Sequence, residues 1–173
     1  IFSTSIIGID FDKMEVMVDQ STQIDGFFTG LTEAQRQTLL PLVKQCTYSP
    51  GEVIVRVNQP ATNFFIIESG EVEINFQPYD GASMKLDRLT GGDMFGWSAL
   101  LGRDVYTASV RALTDSLIFA IPSQKIAQLC VRDHETGVVL LEKMAVSIRR
   151  HPTQPVDLVM ELINRAMRCD RET

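Results

Sequence analysis

The sequence predicts a mainly β fold, a sandwich or jelly-roll barrel, with helices at its flanks. Three observations carry that expectation. Short apolar segments recur between residues 49 and 121, punctuated by glycine and proline. Inside them the apolar residues alternate with polar ones or run on continuously for a few positions, as strands do. Beyond Pro122 the pattern changes to helical spacing.

The elements follow in order. Residues 1–26 form an N-terminal extension, of which Ile1 to Gln20 carry no motif. Thr32-Glu33-Ala34-Gln35 has the spacing of a capping box and opens a helix bearing Leu39, Leu40, Leu42 and Val43. Pro41 removes a backbone donor and should break that helix. Val53, Val55 and Val57 alternate with Ile54 and Arg56 as a strand. Asn63 to Glu68 is a continuous apolar strand. Val72, Ile74 and Phe76 alternate with Glu71, Glu73 and Asn75, the clearest half-buried strand. Pro78-Tyr79-Asp80-Gly81 reads as a hairpin turn, with Met84 to Leu89 returning. Gly91-Gly92 marks another turn, and Val105 to Arg111 and Ser116 to Ile121 complete the β series. Helices then start at Pro122-Ser123, with Ser123 as N-cap, and run from His134 to Arg150 and from Val156 to Arg168. The domain reading is an extension over 1–26, a β domain over 27–132 and C-terminal helices over 133–173.

Composition excludes several functions. At 173 residues and 45% hydrophobic content the chain can bury a core. Its net charge of -6 argues against gripping nucleic acid, whose phosphates need a basic surface. Cys46, Cys130 and Cys169 are few and scattered, which speaks for free thiols in a reducing cytoplasm rather than disulfides or a metal knuckle. No run approaches membrane-spanning length, and the apolar start lacks the basic residues of a signal peptide. His134 and His151 both lie in the helical part, so neither a metal-dependent jelly-roll enzyme nor a serine hydrolase is expected. No metal is called for.

Pro50-Gly51-Glu52, then Asn63 to Ile74 with its Ser69-Gly70 turn, then Gly92-Asp93-Met94-Phe95-Gly96, together resemble the cyclic nucleotide-binding domain. The resemblance covers residues 27–150 and is nearer the bacterial catabolite-activator type. It implies an antiparallel β-roll flanked by helices, a regulatory and non-enzymatic role, and a cyclic nucleotide or other small effector as ligand. The family's phosphate cassette reads F-G-E-L/I-A-L, a short loop, then R-A/T-A-S/T-V. Its glutamate holds the ribose hydroxyl and its arginine pairs with the cyclic phosphate. Here Phe95, Gly96, Ala99 and Leu100 match, as do Thr107, Ala108, Ser109 and Val110. Trp97 stands at the glutamate position and Tyr106 at the arginine position.

Those two departures change the chemistry. An arginine meets phosphate with a planar fork of donors, whereas tyrosine has one neutral hydroxyl. A hydrogen bond to a charged group contributes roughly 1.5–3 kcal/mol, so losing the pair lowers affinity by one to several powers of ten. The indole of Trp97 donates and cannot accept. Four readings of the cassette stand open. It binds a cyclic nucleotide through backbone donors, Ser98 and Thr107, with Arg103 either swinging in as a further donor or, the favoured reading, staying a solvated loop arginine. It binds a flatter or less charged ligand stacked on Trp97 or Tyr106. Those two aromatics fill the pocket of a ligand-free interaction module. Or Trp97 is simply core. The second and third together rank above the first.

The 134–150 helix carries Leu141, Met144 and Ile148 at seam spacing. In the resembling bacterial regulators the equivalent helix makes the dimer, so a homodimer through 134–150 is expected. Only Val156 to Thr173 follows, with arginines balanced by carboxylates, so no specific DNA binding and no membrane association are expected.

Overall fold

The computed structural model describes residues 27–76 and 84–151. The readings placed on 1–26, on the 78–81 turn, on Cys169 and on the 156–168 helix lie outside them.

The N-terminal helix α1 (Glu33–Leu39) begins as its sequence predicts. Gln35 N–H donates to Thr32 Oγ1 and Thr32 N–H donates to Gln35 Oε1, which closes the capping box. Pro41 ends it, and Leu40–Leu42 tighten into a single 3-10 turn. Among the described residues eight strands follow: β1 (Lys44–Tyr48), β2 (Val53–Val55), β3 (Asn63–Ser69), β4 (Glu71–Phe76), β5 (Met84–Thr90), β6 (Met94–Phe95), β7 (Ser109–Ala112) and β8 (Ser116–Pro122). A four-residue helix, α2 (Trp97–Leu100), interrupts them after β6. Helices α3 (Ser123–Arg132) and α4 (His134–Arg150) close the described chain.

The strands form two antiparallel sheets, in the orders β1-β8-β3-β6 and β2-β7-β4-β5. The space between them is filled by Cys46, Val55, Phe65, Ile67, Val72, Leu89, Phe95, Val110, Ile118 and their neighbours. This is the antiparallel β-roll that the resemblance implied. A second core lies on the outer face of the first sheet. There Phe64, Ile66, Met94, Phe119 and Ile121 meet Phe27, Phe28, Ile126, Leu129, Leu140, Met144 and Ile148 from the flanking turns and helices. Strand β3 explains its own sequence. Phe65 and Ile67 face the roll, Phe64 and Ile66 face the helices, and both sets are buried. A strand covered on both faces reads as a continuous apolar run.

Three expectations are corrected. Lys44–Tyr48 is a strand that the sequence reading passed over, because only Cys46 among its five residues is buried and no alternation shows. Residues 105–108 are not strand. Their segment hydrogen-bonds to the 58–61 loop, with Asn58 N–H on Tyr106 O, Tyr106 N–H on Gln59 O and Ala61 N–H on Asp104 O, and β7 starts at Ser109. Ser123 does not cap α3. Pro122 holds the N-cap position without a side-chain bond, and Ser123 N–H is taken by Thr62 O at 3.0 Å.

Candidate functional site

The cassette begins at a tight bend. Gly96 has φ 84 and ψ 26, the left-handed region that side chains disfavour. A Cβ there would sit 2.9 Å from both Asn63 O and the Phe65 ring. Gly96 is thus needed twice, for its dihedral and for the close passage of β6 over β3.

From this bend the candidate residues disperse to three places. Phe95, Ala99 and Tyr106 enter the roll, where Phe95 stacks on Phe65 with centroids 4.8 Å apart and Tyr106 lies tilted against the same ring at 6.4 Å. Trp97 turns the other way into the outer core. It is 4% exposed and meets Phe64 edge-on at 4.8 Å. Leu100 packs on that same core, half-buried. Arg103 and Thr107 are exposed. Ser98 is buried, and its carbonyl accepts from Arg103 N–H at 3.0 Å. So Trp97 and Tyr106 lie in different cores and do not face one another.

Tyr106 is fully engaged. Its hydroxyl donates to Asn63 O at 2.7 Å and accepts from Asn63 N–H at 3.0 Å. Both bonds go to one backbone unit at the start of β3, so the phenol pins the loop after α2 to the strand beneath Gly96. Burial pushes its pKa above the ordinary tyrosine value, opposed in part by the backbone bonds. Trp97 is the opposite case: its Nε1–H is buried without a hydrogen-bond partner. The sequence reading missed Asn63 as a site residue. Its part is played by the backbone, which leaves no side-chain signature.

A concavity of about 380 Å³ lies elsewhere, on the outer face of the second sheet, lined by Arg56, Glu73, Asn75, Ser109 and Arg111. Glu73 at its floor is held by Lys85 Nζ at 2.7 Å and by Asn75 Nδ2 at 3.1 Å. The lysine holds its carboxyl below the usual range. Among the described residues no group of His, Cys, Asp and Glu is placed to hold a metal. Cys46 is buried and Cys130 half-buried, both free, and burial raises both thiols. No described helix is long and apolar enough to cross a membrane.

Residues 45–133, just over half of the chain, match the family model of the cyclic nucleotide-binding domain. The chain belongs to that family. Acetyltransferase Pat of Mycolicibacterium smegmatis is 35% identical over 86 residues, which make up 50% of this chain and 26% of that protein. The cAMP-dependent protein kinase regulatory subunit of Schizosaccharomyces pombe is 31% identical over 86 residues, 50% of this chain and 20% of that protein. The chain therefore spans 26% or less of the length of these two relatives. Among solved structures, the Thermus thermophilus catabolite activator protein superposes with a TM-score of 0.60 at 22% identity, covering 80% of this chain and 62% of that one. That likeness is one of fold. The domain is of the cyclic nucleotide-binding type, and regulatory proteins are among its relatives.

Proposed function

We propose that this chain is a non-enzymatic regulatory domain whose cassette is closed by Tyr106, and that ordinary cAMP is not its ligand. One observation carries the reading. At the arginine position stands a tyrosine whose hydroxyl both donates to and accepts from the Asn63 backbone inside the roll. A cyclic phosphate entering there would have to separate that pair and would gain no charged partner. Trp97, at the glutamate position, is packed on Phe64 and offers no acceptor to a ribose hydroxyl.

The test is calorimetric titration of the chain with cAMP and cGMP. Trp97 is the single tryptophan, so its emission reports the cassette directly. The wild type should give neither heat nor an emission change. The double variant Trp97→Glu/Tyr106→Arg should acquire cAMP binding. Micromolar cAMP binding by the wild type would overturn the reading.

A second reading, a sensor for an effector less charged than cAMP, is favoured by the unpartnered Trp97 Nε1–H. A buried donor without a partner costs about 1–3 kcal/mol, and an effector with an acceptor would relieve it. A shift of Trp97 emission with a neutral, acceptor-bearing compound selects this reading.

Homodimerisation through α4 belongs to the same proposal, on a narrower basis than the seam suggested. Met144 and Ile148 are buried in the chain's own core. Val138, Ala145 and Val146 remain on the far side, with Val146 44% exposed. Light scattering should find a dimer, and a monomer at high concentration would remove this part.

A further inference from the structure

We propose that His151 is a protonation-dependent clasp that ties the end of α4 to the strand feeding the cassette. Its imidazole lies between two carboxylates. Nδ1 is 2.8 Å from Asp87 Oδ2 on β5, and Nε2 is 3.0 Å from Asp93 Oδ2 in the turn before β6. A carboxylate only accepts hydrogen bonds, so each ring nitrogen must donate. Neutral imidazole carries one N–H and imidazolium carries two. The observed bridge is therefore complete only when His151 is charged.

Asp93 gives the clasp its leverage. Its carboxylate is 3% exposed. Oδ2 accepts from Thr90 N–H at 2.9 Å and from Thr90 Oγ1 at 3.3 Å, besides facing His151. Oδ1 is buried without a hydrogen bond, and Arg150 Nη1 stands 4.0 Å away. A buried charge is tolerated where it is paired. When His151 loses its proton, Asp93 keeps, among the described residues, one distant, mostly solvated arginine as its cation. Among the described residues, the ion pairs place Asp87 from β5, Asp93 from the turn and Arg150 from α4 itself around this bridge.

The clasp has a second attachment one helical turn earlier. Ser147 Oγ accepts from Met94 N–H at 3.0 Å. Ser147 and His151 are four residues apart and so share a face of the helix end. Together they hold Asp93 and Met94, the two residues that lead through Phe95 into the Gly96 bend. Release of His151 leaves that strand held to α4 by Ser147, by the distant Arg150–Asp93 pair and by apolar packing. The position of the cassette and the end of α4 are thereby coupled through one titratable ring.

Native-state hydrogen exchange at the Met94 amide, in the wild type and in His151→Gln, tests this. Glutamine keeps a polar side chain at the site and cannot carry the charge. At pH 5.5 the variant should exchange Met94 roughly 5–30-fold faster than the wild type, the range expected for losing one charge-assisted contact. Taking the ratio at each pH removes the intrinsic rise of exchange with pH. The ratio should be smaller at pH 8.5 than at pH 5.5. A thermal scan of the same pair should show a gap of about 2–4 °C at pH 5.5 that narrows at pH 8.5. A ratio of one at every pH, or a ratio that stays constant across the range, would overturn the proposal.

Discussion

Trp97 and Tyr106 stand at either side of the same short cassette and meet opposite fates. Tyr106 points into the roll and satisfies its one polar atom twice over on the Asn63 backbone. Trp97 points out of the roll into the helix-covered core, and its one polar atom has no partner. The first is a fixed pin, because removing it leaves two backbone groups exposed to an apolar interior. The second is held by packing alone and keeps an unused donor. The difference locates where this domain has room to change. The inner core is locked at Asn63, whereas the outer core, which also seats α4, holds a residue whose polar group would be better paired in some other arrangement.

Replacing Trp97 by alanine should have the largest effect. The ring is almost fully buried against Phe64, and emptying such a site costs about 3–5 kcal/mol. Urea unfolding should show that loss. If Trp97 is the packed keystone of the outer core, protection of amides in α4 should fall with it, while amides of β4 and β7 keep theirs up to the lowered global limit. An equal collapse of protection everywhere would mean that the two cores behave as one.

How far this could be read from the sequence depends on which atoms make each contact. β4 shows because Val72 and Ile74 alternate with Glu73 and Asn75 across a half-covered sheet. β3 shows as an apolar run because both of its faces are covered. β1 does not, since it is a sheet edge on which only Cys46 is buried in the roll and Tyr48 packs against it half-buried. Residues 105–108 mimic a strand because Val105 and Tyr106 are large and β-prone, yet their backbone bonds go to a loop. At the cassette, the aromatic residues at positions 97 and 106 are plain in the letters. That the Tyr106 hydroxyl is taken by Asn63 is not, because any residue could supply that backbone. Nor could alternation say which of two cores Trp97 enters, since the bend at Gly96 resets the register. The sequence places His134 and His151 in the helical part and gives neither a role. For His151 that position is what brings it between Asp87 and Asp93.

Tyr106→Phe should have an intermediate effect and tests the pin itself. Asn63 loses both partners, at about 1–3 kcal/mol. The fold and the Trp97 emission should persist. A pH dependence distinguishes the pin from a mere ring. The folded-state pKa of Tyr106 is raised by burial, so its contribution is intact below the ordinary tyrosine value and is lost as pH rises beyond it. Above about pH 10 the wild type should therefore lose stability more steeply than the phenylalanine variant. Burial raises Tyr48 as well, so a residual alkaline slope in the variant is expected. Identical slopes in the two proteins would remove Tyr106 as the titrating pin.

The smallest effect should come from Asp133, which caps α4 and so controls the lid of the outer core. Its carboxylate accepts from Thr136 N–H at 3.1 Å and from Thr136 Oγ1 at 2.7 Å, beneath a threonine that is 1% exposed. Losing such a cap costs about 0.5–2 kcal/mol. The Thr136 hydrogen bonds hold the Asp133 carboxyl below its ordinary pKa. Its contribution is thus present at neutral pH and is lost as pH falls through the depressed folded value. The gap between wild type and Asp133→Ala should be full at pH 7 and shrink below about pH 4. Because α4 and Trp97 share the outer core, this variant should also alter Trp97 emission, whereas Tyr106→Phe should not. Were the emission to respond to Tyr106→Phe and ignore Asp133→Ala, the assignment of the two aromatics to separately controlled cores would have to be reversed.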